Sequence, residues 1–491
     1  MRRILLSTVS CILVLFQPAV FAIEMPSEFK ALHVLNRLGF GPSPGDIKRV
    51  DDMGIDNYIK QQLHPENIPL PDSLTQQLNS LSTYSLGFDE LTEEYGPPPR
   101  VNGQRPDPEV VKAQRKKSQI IVQEAIQARL MQAIESPRQL QELLVDFWYN
   151  HFNVFAQKEL DRLWIGDYER NAIRPYVLGR FRDLLGATAK HPAMLFYLDN
   201  WQNVDPNSFK NARKAKGLNE NYARELMELH TLGVNGGYTQ DDVIALAKIL
   251  TGWGFHGKQR GDTQVSFDFE FNPRRHDPND QVFLGQTISG GGQEEVEAAL
   301  DVLARSPQTA QHICYQLAQF FVSDAPDPQL VSQLAQVYES TDGDIRSILE
   351  ALFKSSQFWD GKNYQAKFKT PFQYVVSVIR ASGQQVTNYR PLMGMLQQLG
   401  EPMYGCFSPD GYKNTQAAWL NPDGMLRRIN FATAIGFGRV NINDDQFPVS
   451  EDDLLSVYDH QFSASTMQAV DAALPRLRAV VLLGSPEMMK K

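Results

Sequence analysis

The densest cluster of ionisable side chains among good helix formers in this sequence is Asn219-Glu220-Asn221-Tyr222-Ala223-Arg224-Glu225-Leu226-Met227-Glu228-Leu229-His230-Thr231-Leu232-Gly233. Asn219 is a typical N-cap residue, because its side-chain oxygen can accept a hydrogen bond from a free backbone N–H. Gly233 can end the helix in a left-handed turn. An apolar stripe at helical spacing lies between these two residues and consists of Tyr222, Ala223, Leu226, Leu229 and His230. The stretch therefore predicts a helix with one side in the core.

The polar side of this helix has two interpretations. Glu220, Arg224 and Glu228 are spaced four residues apart, as in a salt-bridged surface helix. In the other interpretation, the acids and His230 belong to a functional site. Glu225 borders the apolar stripe, so we expect it to be buried and paired with a cation from another segment.

Helix-start signals recur along the 491-residue chain. Ser or Thr directly before Pro places an N-cap residue ahead of the residue type favoured in the first turn. Four such pairs are Ser43-Pro44, Ser136-Pro137, Ser306-Pro307 and Thr370-Pro371. We expect a mainly α fold, with residues 23–491 as a single large helical domain. His151 falls on the apolar stripe of the helix predicted from Ser136, where either a satisfied core imidazole or a ligand is expected.

Two segments interrupt the helical pattern. Residues 82–109 combine prolines with acidic residues and are predicted to be a mobile loop. Residues 263–288 alternate apolar and polar residues on either side of a turn, which predicts a β-hairpin insertion. His276 and Asp277 are expected near the tip of that hairpin.

The N-terminus has the composition of a secretory signal. Arg2 and Arg3 precede an apolar run over residues 4–16, and Val20-Phe21-Ala22 forms a small-residue cleavage site. We expect residues 1–22 to be a signal peptide that is cleaved near Ala22, which places the protein in the periplasm or outside the cell. No later stretch is long and apolar enough for a membrane span.

Composition restricts the choice of partner and compartment. The formal net charge is −9 and no basic stripe is evident, which argues against nucleic acid as a partner. Export would leave Cys314 and Cys406 in an oxidising compartment, so a disulfide between them is a candidate.

Several blocks of the sequence resemble a known bacterial family, the domain of unknown function 1800. The first block is residues 219–233, followed by Gly237-Tyr238-Thr239-Gln240 and Leu250-Thr251-Gly252-Trp253. The others are Phe147-Trp148-Tyr149-Asn150-His151-Phe152, His276-Asp277, and Pro409-Asp410-Gly411-Tyr412 through Trp419. The resemblance implies a largely helical protein outside the cytoplasm. It also implies a possible partner that resembles sulfatases and alkaline phosphatases, and it implies no activity.

Two classes of function remain open from the sequence. One is an accessory, binding or scaffold protein; the other is a hydrolase that uses a divalent metal or carboxylate and histidine groups. The Glu-x-x-His spacing of di-iron bundles and the His-Glu-x-x-His motif are absent. The candidate catalytic residues are Glu225, Glu228, His230 and His151, and the candidate binding residues are Asn221, Tyr222, Arg224, His276 and Asp277.

Overall fold

The structure is a computed structural model that describes residues 24–98, 104–208, 217–255, 269–445 and 447–491. The predicted signal peptide, residues 99–103 of the predicted loop and residues 263–268 of the predicted hairpin lie outside the described residues. No helix within the described ranges is long and apolar enough to cross a membrane.

Helices make up most of the described chain. They are α1 Ser27–Arg37, α2 Asp46–Met53, α3 Ile55–Leu63, α4 Asp72–Asn79, α5 Phe88–Tyr95, α6 Pro108–Lys117, α7 Gln119–Glu135, α8 Gln139–His151, α9 Asp161–Asp167, α10 Phe181–Lys190, α11 Pro192–Tyr197, α12 Asn221–Glu228, α13 Gln240–Ile249, α14 Gln293–Ala304, α15 Pro307–Phe321, α16 Pro328–Ser340, α17 Ile345–Lys354, α18 Pro371–Ser382, α19 Arg390–Gln398, α20 Gln416–Trp419, α21 Pro422–Gly436, α22 Glu451–Val457, α23 Ala464–Ala472, α24 Arg478–Leu483 and α25 Pro486–Met489. A π-helical segment, Tyr168–Ile173, follows α9. The prediction of a mainly α fold is confirmed.

The helices begin where the N-cap signals predict in several cases. The side chain of Ser306 accepts a hydrogen bond from the N–H of Gln308 at the start of α15. Thr370 forms a capping box with Gln373 at the start of α18. These side chains satisfy backbone N–H groups that have no partner within their own helix.

The β structure is small and differs from the predicted hairpin. The strands are β1 Trp253–Phe255, β2 Phe269–Phe271, β3 Gln281–Phe283 and β4 Gln286–Ile288. β1 pairs antiparallel with β2, and β3 pairs antiparallel with β4. The prediction that the strand before His276 pairs with the strand after it is therefore wrong. Alternation identified strand-forming residues correctly, but it carries no information on which strand is the partner.

The segment predicted as a continuous loop, residues 82–109, contains α5, so that part of the prediction is wrong. Glu90 accepts a hydrogen bond from the backbone N–H of Gly87 at the start of this helix, and Leu91 and Tyr95 are buried. Asp89 and Glu90, two of the acidic residues that suggested a loop, therefore lie in the first turn of a helix, where the helix dipole favours negative charge.

Cys314 and Cys406 are both free. Cys314 is buried within α15, whereas Cys406 is buried in a loop, where its thiol donates to the carbonyl oxygen of Ser408 at 3.6 Å. The predicted disulfide is not formed in the structure.

A chain of ion pairs crosses the hydrophobic core between α7, α8 and the π-helical segment. Arg129 contacts Asp146 at 2.6 Å and Glu169 at 3.3 Å. Arg174 contacts Glu169 at 3.3 Å and Glu142 at 2.8 Å. Burial alone would lower the pKa of the Arg129 guanidinium, but Glu169 and Asp146 raise it above its usual value. These five residues, here called the ion chain, are largely shielded from water, so each charge depends on its neighbour.

We predict that Arg129→Met lowers the free energy of unfolding by about 3–5 kcal/mol, because it leaves the buried Asp146 carboxylate without a cation. The matched control is Arg305→Met, since Arg305 also bridges two acids, Asp301 and Asp342, but does so on the exposed surface. Urea denaturation of both variants measures the difference. Equal small losses in the two variants would contradict a stabilising role for the buried ion chain.

Candidate functional site

A cavity of about 360 Å³ opens beside the ion chain and brings distant parts of the sequence together. Its walls come from the end of α8, the end of α12, one face of α15, the start of α18 and the loop 401–414. The lining residues are Arg129, Asp146, Phe147, Tyr149, Asn150, His151, Asn153, Glu228, Leu229, Val234, His312, Gln316, Gln319, Phe320, Thr370, Phe372, Glu401, Met403, Tyr404, Asp410, Tyr412, Lys413 and Asn414. Of the predicted site residues, His151 and Glu228 line this cavity.

Two histidines lie against the chain that leaves α12. The Nε2–H group of His151 donates to the carbonyl oxygen of His230 at 3.1 Å. His312 on α15 lies beside Gly233, where an added Cβ atom would be 2.9 Å from its Nδ1 atom. The last carbonyl groups of a helix have no intrahelical donor, and His151 supplies one just beyond the end of α12. The sequence reasoning missed His312, although His312 and Gln316 lie one turn apart on α15.

Both imidazoles are neutral at physiological pH. Burial lowers the pKa of His151 to about 3, and the neighbouring His312 adds to the effect. Burial also lowers the pKa of His312. The Nε2 atom of His312 accepts a hydrogen bond from the side-chain amide of Gln316 at 3.1 Å, which leaves the Oε1 atom of Gln316 buried and without a partner among the described residues.

Glu401 contributes a neutral carboxylic acid to the wall. Burial raises the pKa of its side chain to about 8, and the charge on Asp146 adds to the rise. Its Oε2 atom accepts a hydrogen bond from the backbone N–H of Phe372 at 2.6 Å, at the start of α18. The carboxyl group therefore carries its proton at pH 7 while it caps a helix from another segment. The sequence reasoning missed Glu401, which lies between helices and matches no motif.

The ionised groups in the wall are paired. Asp146 contacts Arg129, and Asp410 contacts Lys413. Glu228 lies 3.7 Å from Arg224, measured between the carboxylate and guanidinium atoms. Since the imidazoles and Glu401 are neutral, the described wall of the cavity presents no unpaired charge.

Glu225 differs from its prediction. It is half-buried, and burial raises the pKa of its carboxyl group, with further contributions from Glu228 and Asp410. Its side chain has no hydrogen bond or ion pair with the described residues, so the predicted pairing with a cation from another segment is not found. It lies next to the cavity and does not line it.

Arg224 and Asn221 link α12 to its surroundings. Arg224 contacts Glu220 at 3.3 Å and donates to the side-chain oxygen of Gln240 at 2.9 Å, which ties α12 to α13. Asn221 donates from its side-chain amide to the carbonyl oxygen of Leu198 at 3.1 Å. Both residues hold α12 in place, and neither of them lines the cavity.

Two further candidates lie in the core. Tyr222 is 1% exposed and does not line the cavity, so its candidacy as a binding residue finds no support in this site. His230 is also buried, and its ring lies 5.1 Å from the ring of Phe152. It is the backbone carbonyl of His230, rather than its imidazole, that takes part in the site. The helix ends at Glu228, so the chain turns before His230 and carries the ring inward.

His276 and Asp277 are placed in a separate network, away from the cavity. The Nε2 atom of His276 contacts the Glu295 carboxylate at 2.9 Å, and its Nδ1–H donates to the carbonyl oxygen of Thr251 at 2.8 Å. Asp277 accepts from the side-chain amide of Asn279 at 2.6 Å. These contacts hold the connection between β2 and β3 against the start of α14, so the two residues are buried and do not form an exposed hairpin tip.

A divalent metal was one expectation from the acids and histidines. Across the part of the chain that the structure describes, no group of three or more His, Cys, Asp or Glu side chains is arranged to hold a metal ion.

Comparison with known proteins identifies a family. A family model described as "Protein of unknown function (DUF1800)" matches residues 33–490, nearly the whole chain. No match was found among curated proteins or among solved structures.

The contact between Asn150 and the loop 401–414 gives a prediction about the cavity wall. Asn150 donates to the carbonyl oxygen of Tyr412 at 2.9 Å and accepts from its N–H at 2.7 Å. Gly411 has a φ of 66°, and a Cβ atom there would lie 2.3 Å from the backbone oxygen of Asn150. We predict that Gly411→Ala destabilises the protein by more than the ~1–3 kcal/mol of backbone strain alone, because the loop must also move away from α8.

The matched control is Gly400→Ala. Gly400 also has a positive φ, 87°, but no atom lies within 4 Å of the position of an added Cβ. Thermal and urea denaturation of the two variants separates the backbone strain from the clash with Asn150. An equal effect in both variants would show that the close approach of the two segments is unimportant.

Proposed function

The chain belongs to the DUF1800 family of proteins of unknown function, and we propose that it is an exported binding protein whose cavity holds a small, uncharged, hydroxyl-rich ligand such as the end of a sugar chain. One observation carries this proposal: every ionisable side chain in the described cavity wall is either paired or neutral. A charged ligand would have to displace an existing ion pair, whereas a neutral polar ligand would not.

The cavity wall contains both aromatic rings and polar amide groups, the two kinds of group that bind sugars. Aromatic rings can pack against the apolar C–H face of a sugar ring. The rings that line the cavity are those of Phe147, Tyr149, Phe320, Phe372, Tyr404 and Tyr412. Asn153, Gln316 and Gln319 add side-chain amide groups to the same lining. A mostly apolar cavity with a few fixed polar groups is typical of small-molecule sites.

Gln316 supplies a specific hydrogen-bond acceptor. Its Oε1 atom is buried and unpartnered within the described residues, while its amide N–H is held by His312. A buried acceptor without a donor costs free energy. A ligand hydroxyl group that donates to this atom would recover that cost, which favours a hydroxyl-bearing ligand over an apolar one.

A hydrolase is the second candidate, and one observation favours it. Glu401 holds its proton at pH 7, while Asp146, which lines the same cavity, is paired with Arg129. A protonated and an ionised carboxyl group in one cavity can act as general acid and general base. Release of shorter sugars from an oligosaccharide probe would favour this candidate over binding alone.

Blockage of the cavity mouth tests the binding proposal. Val234 lines the cavity but is 67% exposed, so Val234→Trp should fill the entrance without disturbing the core. We predict at least a tenfold loss of affinity for the sugars that bind the unmodified protein, with an unchanged melting temperature, measured by calorimetric titration. The probes are glucose, N-acetylglucosamine and their β-1,4-linked oligomers.

The matched control for this test is Val282→Trp. Val282 is 65% exposed on β3 and does not line the cavity. Val282→Trp introduces the same side chain at a similarly exposed position outside the cavity, so this variant should leave binding unchanged. The proposal would be abandoned if the unmodified protein bound none of the probes, or if Val234→Trp bound them as tightly as Val282→Trp.

The proposal of export rests on residues 2–22 and on the family resemblance. Two arginines, an apolar run and a small-residue site support cleavage after Ala22. N-terminal sequencing of the protein from its own cells should begin at Ile23, and a protein that retains Met1 would refute export. A partner that resembles sulfatases and alkaline phosphatases remains a proposal that the resemblance alone supports.

A further inference from the structure

Phe407 has the highest exposed fraction of any large apolar side chain in the described ranges, 79%. Single exposed hydrophobic residues are common on protein surfaces and need no explanation by themselves. Phe407 differs from such residues in two respects: its backbone is fixed from two sides, and one of the groups that fix it belongs to the cavity wall.

Hydrogen bonds hold the loop tip on each side of Phe407. The side-chain amide of Asn153, which lines the cavity, donates to the carbonyl oxygens of Cys406 at 3.0 Å and Ser408 at 2.9 Å. The hydroxyl group of Tyr197 donates to the carbonyl oxygen of Phe407 itself at 2.8 Å. The chain is therefore held at three consecutive carbonyl groups beside the cavity, although the ring between them faces solvent.

The Phe407 ring is also supported by a second aromatic ring. Its edge-to-face contact with Phe155 has a centroid distance of 5.5 Å and an interplanar angle of 80°. Such a contact orients one face of a ring for a further partner. An aromatic side chain that is already oriented loses little conformational entropy when a ligand stacks on it, so the contact favours binding.

The size of the cavity determines how much of a ligand it can enclose. Its volume of about 360 Å³ lies near the lower end of the roughly 300–1,000 Å³ that is usual for small-ligand sites. A chain of several sugar units would extend out of the mouth. Asn153, which lines the cavity, holds the carbonyl groups on both sides of Phe407, and Asp410, three residues further on, also lines it, so Phe407 belongs to a loop anchored in the cavity wall.

We propose that the ligand is an oligosaccharide whose terminal unit enters the cavity while an outer unit stacks on the exposed face of Phe407. This inference rests on the proposed function and adds a second subsite to it. It predicts that affinity increases with chain length, because only longer chains reach both the cavity and the ring.

Titration of a length series tests the second subsite. The probes are β-1,4-linked glucose and N-acetylglucosamine, each from the monosaccharide to the hexamer. In the unmodified protein, affinity should rise with length. Phe407→Ala should weaken binding of the longer oligomers by about two- to tenfold, as expected for the loss of one aromatic stacking contact, and leave the monosaccharide unaffected. Phe407→Trp should preserve the gain with length.

Phe447→Ala is the matched control, because Phe447 is 52% exposed and lies outside the cavity lining. It should bind every oligomer as the unmodified protein does. If the monosaccharide binds and Phe407→Ala leaves the longer oligomers unchanged, the second subsite is refuted while the binding function stands. If the unmodified protein binds no member of the series, the proposed function fails and the second subsite fails with it.

Discussion

The contact between Arg129 and Asp146 is the constraint on which both the core and the cavity depend. Asp146 is on α8, which also carries Asn150 and His151, and Arg129 is on α7. Without the guanidinium, a carboxylate would be left in the core with its full desolvation penalty. When the guanidinium is present, the ion pair fixes the rotation of α8 about its own axis. Asn150 then meets the loop 401–414 and His151 meets the end of α12, at contacts that lie 262 and 79 residues apart in the chain.

The same arrangement determines the electrostatic character of the cavity. Burial raises the pKa of both Asp146 and Glu401; Asp146 is paired with Arg129, and its charge adds to the rise in the pKa of Glu401. His151 and His312 stay neutral because burial penalises their charged forms. A cavity surrounded by so many titratable groups therefore carries little net charge. Composition alone gives the opposite impression, because it counts each acid at its ordinary pKa.

Local signals in the sequence were sufficient for much of the fold but not for the site. Ser306 and Thr370 start helices because their side chains bond N–H groups two or three residues away, and such short-range chemistry can be inferred from sequence. Glu401 could not be found in this way, because what makes it unusual is its burial next to α18 and Asp146. The predicted strand pairing was wrong for the same reason: strand alternation is local, whereas the pairing of β2 with β1 is set by the surrounding fold.

The end of α12 shows how a few backbone contacts select between residues that look equivalent in the sequence. Glu225 and Glu228 are one turn apart, and both border the apolar stripe. The carbonyl group of His230, just beyond the end of the helix, accepts a hydrogen bond from His151. Glu228, the last residue of the helix, lines the cavity, whereas Glu225 does not. The helix ends five residues before Gly233, where its composition predicts the end, and the His230 ring is still buried, as its place on the apolar stripe predicts. His151 therefore shapes the site through the backbone that it contacts.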